Sequence, residues 1–350
     1  MNISDALIYW YINHKRDLPW RESNDPYHIW LSEIILQQTR VEQGKEYYLR
    51  FINTYSTIGF LSSASEDDVL KMWQGLGYYS RARNLHYTAK YITRELGGKF
   101  PDTYAALLDL KGVGPYTAAA IASIAYGLPH AVVDGNVMRV LARLFDVSEP
   151  VNSTEGAKII KNLADEILDP ARAGDHNQAV MELGAVICTP RSPKCSECPV
   201  AAKCLAKARN TIEERPVKLK KQKAKLRYIH YAVLDYGGGL VFRQRTEEDI
   251  WKGLHDFESE EGSAEISPVK WAKQLENTFP GMRITALPSA PEFEAVHLLT
   301  HRRIEAKFWR FGVSGITPNK SPYKSVSKKD IERIAVPRLV HKYLEKSKWL

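Results

Sequence analysis

The sequence predicts an all-α domain over residues 1–210 and an α+β domain over residues 228–350, joined by a basic linker at 211–227. Three observations carry that prediction. A chain of 350 residues is long for one core and suits two domains of roughly 100 to 200 residues each. Up to residue 210, apolar residues recur at helical spacing in short runs separated by Gly, Pro or capping residues, and strand patterns are scarce. After Arg227 the texture changes: RYIHYAVLDYGGGLVFRQR alternates apolar and polar residues around Gly237, Gly238 and Gly239 and reads as a hairpin, and IEAKFWRFGV reads as a further strand. Two helical patterns, SPVKWAKQLENTF and KKDIERIAVPRLVHKYLEK, are mixed with these strands, which is the α+β arrangement. There is no internal repeat.

Composition narrows the class. With 44% hydrophobic and 26% charged residues the chain is an ordinary globular one, and no apolar run approaches the roughly 18 residues of a membrane span. The opening MNISDALIYWYINHKRDLPW reads as an amphipathic helix, without a basic segment before an apolar one, so a cytoplasmic location is expected. The net charge of +8 is unevenly placed: residues 1–210 hold 23 basic and 23 acidic side chains, whereas TIEERPVKLKKQKAKLR holds seven against two. Such a run is by itself a solvated linker, so global charge does not establish nucleic-acid binding.

Along the helical domain, WLSEIILQQ (Trp30–Gln38) sets one carboxylate, Glu33, among Ile29, Trp30 and Leu36. Burial there would favour the neutral acid and raise its pKa, and the bland alternative is an acid at the edge of the apolar stripe. Ser65 begins the helix that runs into VLKMW, and Gly97 and Gly98 close the periodic segment SRARNLHYTAKYITREL. In LDLKGVGPYTAAAIASIAYG two helices flank the turn Lys111-Gly112-Val113-Gly114, with Pro115 at a first helical position. The glycines of that turn leave backbone N–H groups free to meet an anion, although any αα-hairpin turns on glycines.

Asp134, just before the apolar helix of LPHAVVDGNVMRVLARLF, reads as an N-cap whose amide donors would hold it ionised and lower its pKa. A buried neutral acid and a capped anion divide the roles as paired carboxylates do when they cleave a glycosidic bond. Finally, all four cysteines fall in CTPRSPKCSECPVAAKC: Cys188, Cys195, Cys198 and Cys204. Only one C-x-x-C pair is present, which suits a cubane iron–sulfur cluster better than zinc, with free thiols as the third reading. Arg191, Lys194, Lys203 and Lys207 interleave the cysteines, so the cluster would staple a basic loop that faces phosphates.

In this order, a helix-hairpin-helix, a Gly/Pro-rich loop with Asp, and C-x6-C-x2-C-x5-C resemble the helix-hairpin-helix DNA glycosylase superfamily. Within it, LPWR (Leu18–Arg21), WLSEIILQQTRV (Trp30–Val41), GLGYYSRARNL (Gly75–Leu85) and NQAVMELGAVICTP (Asn177–Pro190) closely match the adenine DNA glycosylase (MutY) family. The resemblance implies a 4Fe–4S cluster on the four cysteines. It also implies a monomer that acts in base excision repair on double-stranded DNA carrying A:8-oxoguanine or A:G mispairs; the lack of a targeting extension suits a bacterial cytoplasm, with nucleoid association through DNA as the expectation. Glu33 would protonate an adenine ring nitrogen and then activate water, Asp134 would stabilise the sugar cation, and Tyr116 and Asn136 would assist them. Trp20, Arg21, Leu36 and Gln178 match the lining of the adenine pocket, and Gln38 and Tyr78 match side chains that wedge into the duplex. Gly112, Val113 and Gly114 match the phosphate-binding hairpin.

The related endonuclease III family cuts the backbone with a lysine at the second position after the GVG turn, where this chain has Tyr116; a monofunctional glycosylase is therefore expected. A bifunctional glycosylase/lyase and a non-catalytic iron–sulfur DNA-binding protein are the alternatives. The C-terminal domain resembles the family's MutT-like (Nudix-like) reader of 8-oxoguanine, best at IWKGLHDFE (Ile250–Glu258), without a Glu-rich metal-binding helix after it. Where the family carries Phe-Ser-His, this chain has Leu299-Thr300-His301, so Thr300 and His301 are the expected contacts to the lesion.

Overall fold

The computed structural model describes residues 2–219, 225–262, 265–299, 302–315 and 321–350. The chain forms two compact units, one made of Met1–Ser63 and Asn84–Lys220, the other of Ala64–Arg83 and Lys221–Leu350.

The first unit is helical. Short polar side chains start its helices by accepting from orphan N–H groups of the first turn: Asn2 for Ile3–His14, Asp25 for Pro26–Leu36, Thr103 for Tyr104–Leu108, Asp134 for Gly135–Leu144 and Ser153 for Thr154–Ile167. Pro26 and Pro115 occupy first helical positions, where no intrahelical N–H bond is lost. The Ala-rich helix Pro115–Tyr126 is buried from Thr117 through Ser123, where its small side chains let neighbouring helices approach closely. Helix Ala173–Val186 packs against Ile3–His14, Pro115–Tyr126 and Gly135–Leu144, and Pro26–Leu36 packs on Pro115–Tyr126. Leu7, Tyr11, Ala120, Leu141, Ile160 and Leu183 form the middle of the resulting core. One close crossing depends on Gly184: a Cβ there would lie 2.6 Å from Cβ of Asn136, so glycine is what lets helix Ala173–Val186 reach the start of Gly135–Leu144.

Among the described residues the second unit is built on an eight-stranded mixed sheet: β1 (Lys225–Asp235), β2 (Gly239–Gln244), β3 (His255–Asp256), β4 (Glu258–Glu261), β5 (Met282–Ala286), β6 (Phe293–Leu298), β7 (Arg302–Gly315) and β8 (Tyr323–Ser327). The main order is β3-β2-β1-β7-β5, with β4 on β1, β6 on β7 and β8 on β2. The long central strands β1 and β7 run parallel, in register from Lys225 opposite Arg302 to Asp235 opposite Gly312. The expected hairpin is present as β1 and β2, paired antiparallel around Gly237 with φ at 82°. Stacked rings of Tyr231, Phe308 and Tyr343 and the helix Pro268–Thr278 fill its two faces.

One expected helix divides. KKDIERIAVPRLVHKYLEK folds as a 3₁₀ turn, Lys328–Arg333, then a non-helical stretch of Ile334 (extended), Ala335 and Val336, then the helix Arg338–Lys346. Pro337 is the cause, because its ring excludes helical backbone from the residue before it and it has no N–H to continue an earlier helix. The unit also takes in Glu66–Trp73, a helix capped by Ser65, whose side chain accepts from the Asp68 N–H.

Candidate active site

Glu33 lies in helix Pro26–Leu36, in which residues Ile29 through Ile35 are all buried, and the residue is 8% exposed. Its Oε2 accepts a 2.6 Å hydrogen bond from the hydroxyl of Tyr116, which lies on the first turn of Pro115–Tyr126. Asp134 stands at the start of Gly135–Leu144: its Oδ1 accepts from the N–H groups of Asn136 (2.9 Å) and Val137 (2.7 Å), and its Oδ2 from the Asn136 side-chain amide (2.9 Å). Asn136 is held in turn by Arg139, which donates to its Oδ1 and to the carbonyls of Gly184 and Cys188. The three helices thus aim an acid, a phenol and a capped carboxylate into one cavity of about 650 Å³. That volume is within the ~300–1,000 Å³ of small-ligand sites. Trp20, Arg21, Leu36, Gln38, Gly114, Asn136 and Gln178 line the same cavity.

Burial dominates the electrostatics. Loss of water pushes Glu33 up to about 7, opposed chiefly by the Tyr116 hydrogen bond; the nearby Asp134 charge adds to the rise and Arg21 reduces it. Asp134 does not have the lowered pKa expected of a capping carboxylate. Its pKa is raised, because desolvation outweighs the bonds from Val137 and Asn136 and the attraction of Arg139. The cap geometry is as expected, but the depth of the cap below the surface reverses the sign of the shift.

A third carboxylate was not singled out by the sequence. Glu182, on Ala173–Val186 and 1% exposed, accepts from Arg16 Nε (2.7 Å) and backbone N–H (3.0 Å) at Oε1, and from Arg21 Nη2 (2.7 Å) at Oε2. Those bonds overcome its burial and hold it down to about 2, a permanent anion in the cavity wall. Arg21, expected as pocket lining, is therefore also one arm of a buried ion pair, with its guanidinium 5.4 Å from the Tyr11 ring centroid. The available signal was spacing: Gln178 and Glu182 are four apart, one turn on the same face, and Glu182 stands alone as a polar residue in the run from Ala179 to Val186.

The hairpin residues lie beside this cavity in the same unit. Gly112 has φ at 82°, and a Cβ there would meet Cβ of Asn84 at 2.7 Å; Val113 is buried, while Gly114 opens helix Pro115–Tyr126 with nothing within 4 Å of its missing Cβ. Tyr78 belongs to the other unit, with its ring about half exposed. Gln38 and Tyr78 share a trait: both are non-glycine residues in the left-handed region, at φ 56° and 49°. Such backbone is uncommon for non-glycine residues and concentrates at functional sites. Thr300 and His301 lie outside the described residues.

Cys188, Cys195, Cys198 and Cys204 form no disulfide with one another and line one small cavity with Ile187, Pro193, Ala201 and Ile212. Buried Arg143 donates to Cys188 Sγ (3.5 Å) and to the carbonyls of Thr189 (2.7 Å) and Pro190 (3.2 Å), so the loop closes around a fixed cation. Four convergent sulfurs in an apolar shell with a charge-balancing guanidinium are a donor set that fits an anionic iron–sulfur cluster.

Comparison with known proteins agrees with this geometry. Residues 31–181 match the HhH-GPD superfamily of base excision DNA repair proteins, residues 188–204 the iron–sulfur binding domain of endonuclease III, and residues 230–346 the NUDIX domain. The cofactor is thus a 4Fe–4S cluster. The adenine DNA glycosylase of Buchnera aphidicola (subsp. Schizaphis graminum) is 35% identical over 272 residues, which cover 77% of this chain and 78% of that protein. The adenine DNA glycosylase of Homo sapiens is 46% identical over 213 residues, 58% of this chain; the match spans only 39% of the human protein's length. Among solved structures, a thermostable thymine-DNA glycosylase superposes with a TM-score of 0.54 at 31% identity, over 59% of this chain and 95% of that one. An endonuclease III–DNA complex, at 20% identity and a TM-score of 0.51, shares the fold over 59% of this chain and 94% of its own.

Proposed function

Because this chain belongs to the adenine DNA glycosylase family, we propose that it is a monofunctional base excision repair enzyme that removes adenine mispaired with 8-oxoguanine or guanine. The observation that carries the reading is Glu33: a buried acid brought to about 7, hydrogen-bonded to Tyr116 and sharing a cavity with the capped carboxylate of Asp134. At neutral pH such an acid is half protonated, which is where a general acid is most effective.

The chemistry follows from those positions. Extruding adenine from the duplex costs a few kcal/mol, less for a mispaired base, and brings it into the cavity. Glu33 protonates a ring nitrogen, so the electrons of the breaking N-glycosidic bond are received by a neutral leaving base. The sugar becomes an oxocarbenium-like cation, which the ionised Asp134 stabilises. Glu33, now a carboxylate, takes a proton from the water that adds to the sugar, leaving an abasic site. Asn136 and Tyr116 position the two carboxyl groups, and the Glu182 anion with its two arginines fixes the rim against which the base is placed. No lysine is among the described residues lining the cavity, which supports release without backbone cleavage.

Cys188, Cys195, Cys198 and Cys204 hold the cluster, which when bound ties the loop into a basic surface for phosphates alongside the Gly112–Gly114 hairpin. Trp20, Leu36 and Gln178 enclose the base, while Gln38 and Tyr78 wedge into the duplex at the opposite base. The C-terminal domain reads the opposite base through Thr300 and His301. The deciding experiment is a duplex with adenine opposite 8-oxoguanine, guanine or cytosine, incubated with protein and then heated in alkali. Breaks appear after alkali with the first two and not the third; no break after alkali would overturn the proposal, and breaks without alkali would replace it with a glycosylase/lyase.

A further inference from the structure

The loop that carries Tyr78 is fastened to the C-terminal domain. It follows helix Glu66–Trp73 and turns through three left-handed residues, Gly75, Gly77 and Tyr78, at φ 105°, 71° and 49°. Its inner side is braced locally: Trp73 Nε1 donates to the Gly77 carbonyl (3.0 Å), and Arg81 donates to Leu76 and Gly77 carbonyls while its guanidinium lies 5.7 Å from the Tyr78 ring centroid. Its two ends are bonded to segments more than 150 residues away in sequence. On one side Gln74 Oε1 accepts from the Val336 N–H (3.4 Å), Lys71 Nζ donates to the Ile334 carbonyl (3.3 Å), and the buried Tyr79 hydroxyl donates to the Val336 carbonyl (3.5 Å). On the other, Arg83 Nη1 donates to the Lys252 carbonyl at 2.6 Å. Next to that contact Gly253, φ 82°, approaches so closely that a Cβ would stand 3.0 Å from Leu70 Cδ1.

Both receiving segments are firmly built into the sheet domain. Ile334, Ala335 and Val336 are buried and lead through Pro337 into Arg338–Lys346, and Ala335 accepts from the His255 N–H of β3 (2.8 Å). The Lys252 turn is closed by Gly253 N–H on the Arg245 carbonyl and by Arg245 N–H on the Leu254 carbonyl. A displacement of the sheet domain therefore moves both ends of a loop whose middle is already committed to an uncommon backbone.

We propose that Gln74, Tyr79 and Arg83 are positioning residues for opposite-base discrimination, through which the C-terminal domain sets the placement of Tyr78. The idea rests on the adenine glycosylase reading, in which Tyr78 enters the duplex beside the base opposite adenine. It adds a physical route by which the domain acts on that side chain, separate from any contact it makes to the lesion itself.

The test uses the full-length protein with Arg83→Ala, Gln74→Ala and the milder Tyr79→Phe, each alone and combined with Tyr78→Ala. Single-turnover adenine release is measured opposite 8-oxoguanine and opposite guanine, and the ratio of the two rates is the readout. Arg83→Ala and Gln74→Ala are expected to lower that ratio by about three- to tenfold, the factor that ~0.7–1.4 kcal/mol of differential transition-state stabilisation represents. In the Tyr78→Ala background they are expected to lower it no further. Hydrogen exchange of the peptide spanning 74–83 reports independently of activity and is expected to quicken in both variants and, less, in Tyr79→Phe. An undiminished ratio in stably folded variants, an equal loss with Tyr78 already removed, or a ratio insensitive to Tyr78→Ala would each overturn the proposal. Should the larger substitutions unfold the protein, Tyr79→Phe decides by the same criteria at smaller amplitude. Absence of adenine release by the unaltered protein is a different result, which defeats the glycosylase reading itself.

Discussion

Replacing Tyr116 by phenylalanine separates the burial of Glu33 from its hydrogen bond. In the native protein burial raises the Glu33 pKa, and the largest opposing influence is the hydroxyl of Tyr116, 2.6 Å from Oε2. A donor favours the ionised carboxylate, so its removal favours the proton and the pKa rises further. Bonds to charged groups contribute roughly 1.5–3 kcal/mol, and because a phenol oxygen also accepts weakly from the protonated acid, about 1.4 kcal/mol remains as the difference between the two protonation states. That is about one pH unit. Base release requires protonated Glu33, so in the unaltered enzyme the single-turnover rate should fall through an inflection near pH 7 as the pH rises. The protonated fraction drops from about nine-tenths at pH 6 to about one-tenth at pH 8. In Tyr116→Phe the inflection should move up by about one pH unit, while in Glu33→Gln the limb should vanish and the rate should fall by roughly 10²–10⁴. The assay is adenine release from an A:8-oxoguanine duplex between pH 5.5 and 9. An inflection that stays in place or moves down in Tyr116→Phe would refute the assignment of Tyr116 as the donor that restrains the Glu33 pKa.

Further outcomes follow from the same site. Since the Glu33 pKa rises from 4.5 to about 7 on folding, the acid weakens the fold progressively as pH increases across that interval, by up to about 3 kcal/mol. Glu33→Gln should therefore melt higher than the unaltered protein at pH 8 and at the same temperature near pH 4, below the interval. Asp134→Asn keeps a side chain that caps a helix as well as Asp does, so it should leave the melting temperature within a few degrees while abolishing base release; a large loss of stability would show that the carboxylate is structural. Glu182→Ala removes the common acceptor of Arg16 and Arg21 and should cost about 3 kcal/mol in urea denaturation at pH 7. Because the Glu182 pKa is held down to about 2, that stabilisation is present above pH 4.5 and should fade as the pH is lowered toward 2. Cys198→Ser should yield protein with little iron and no brown absorbance, measured by metal analysis and a visible spectrum.

Several parts of the site are legible locally because each is written within a few consecutive residues. Asp134 caps the helix that follows it, Pro115 opens the next one after the glycine turn, and four cysteines within one short segment can converge without help from the rest of the chain. Glu33 is visible as an acid in an apolar run, and its raised pKa follows from that run being buried. The break at Pro337 was present in the sequence as well, but apolar periodicity on both sides masked it.

What the sequence by itself determined, then, is the pair of domain textures, the helix starts, the cysteine loop and the presence of two carboxylates of different setting. Tertiary structure decided how those groups behave. Desolvation of Asp134 depends on helices from elsewhere in the chain covering a cap that local rules leave open, and it outweighs the local donors. Glu182 becomes an anion only because Arg16 and Arg21, more than 150 residues distant in sequence, converge on it. Residues 64–83 pack with the sheet domain through carbonyls of Lys252, Ile334 and Val336. Every residue except proline offers the same backbone donor and acceptor, so partners at that distance leave no mark on side-chain pattern and are chosen only when the folded chain brings them together.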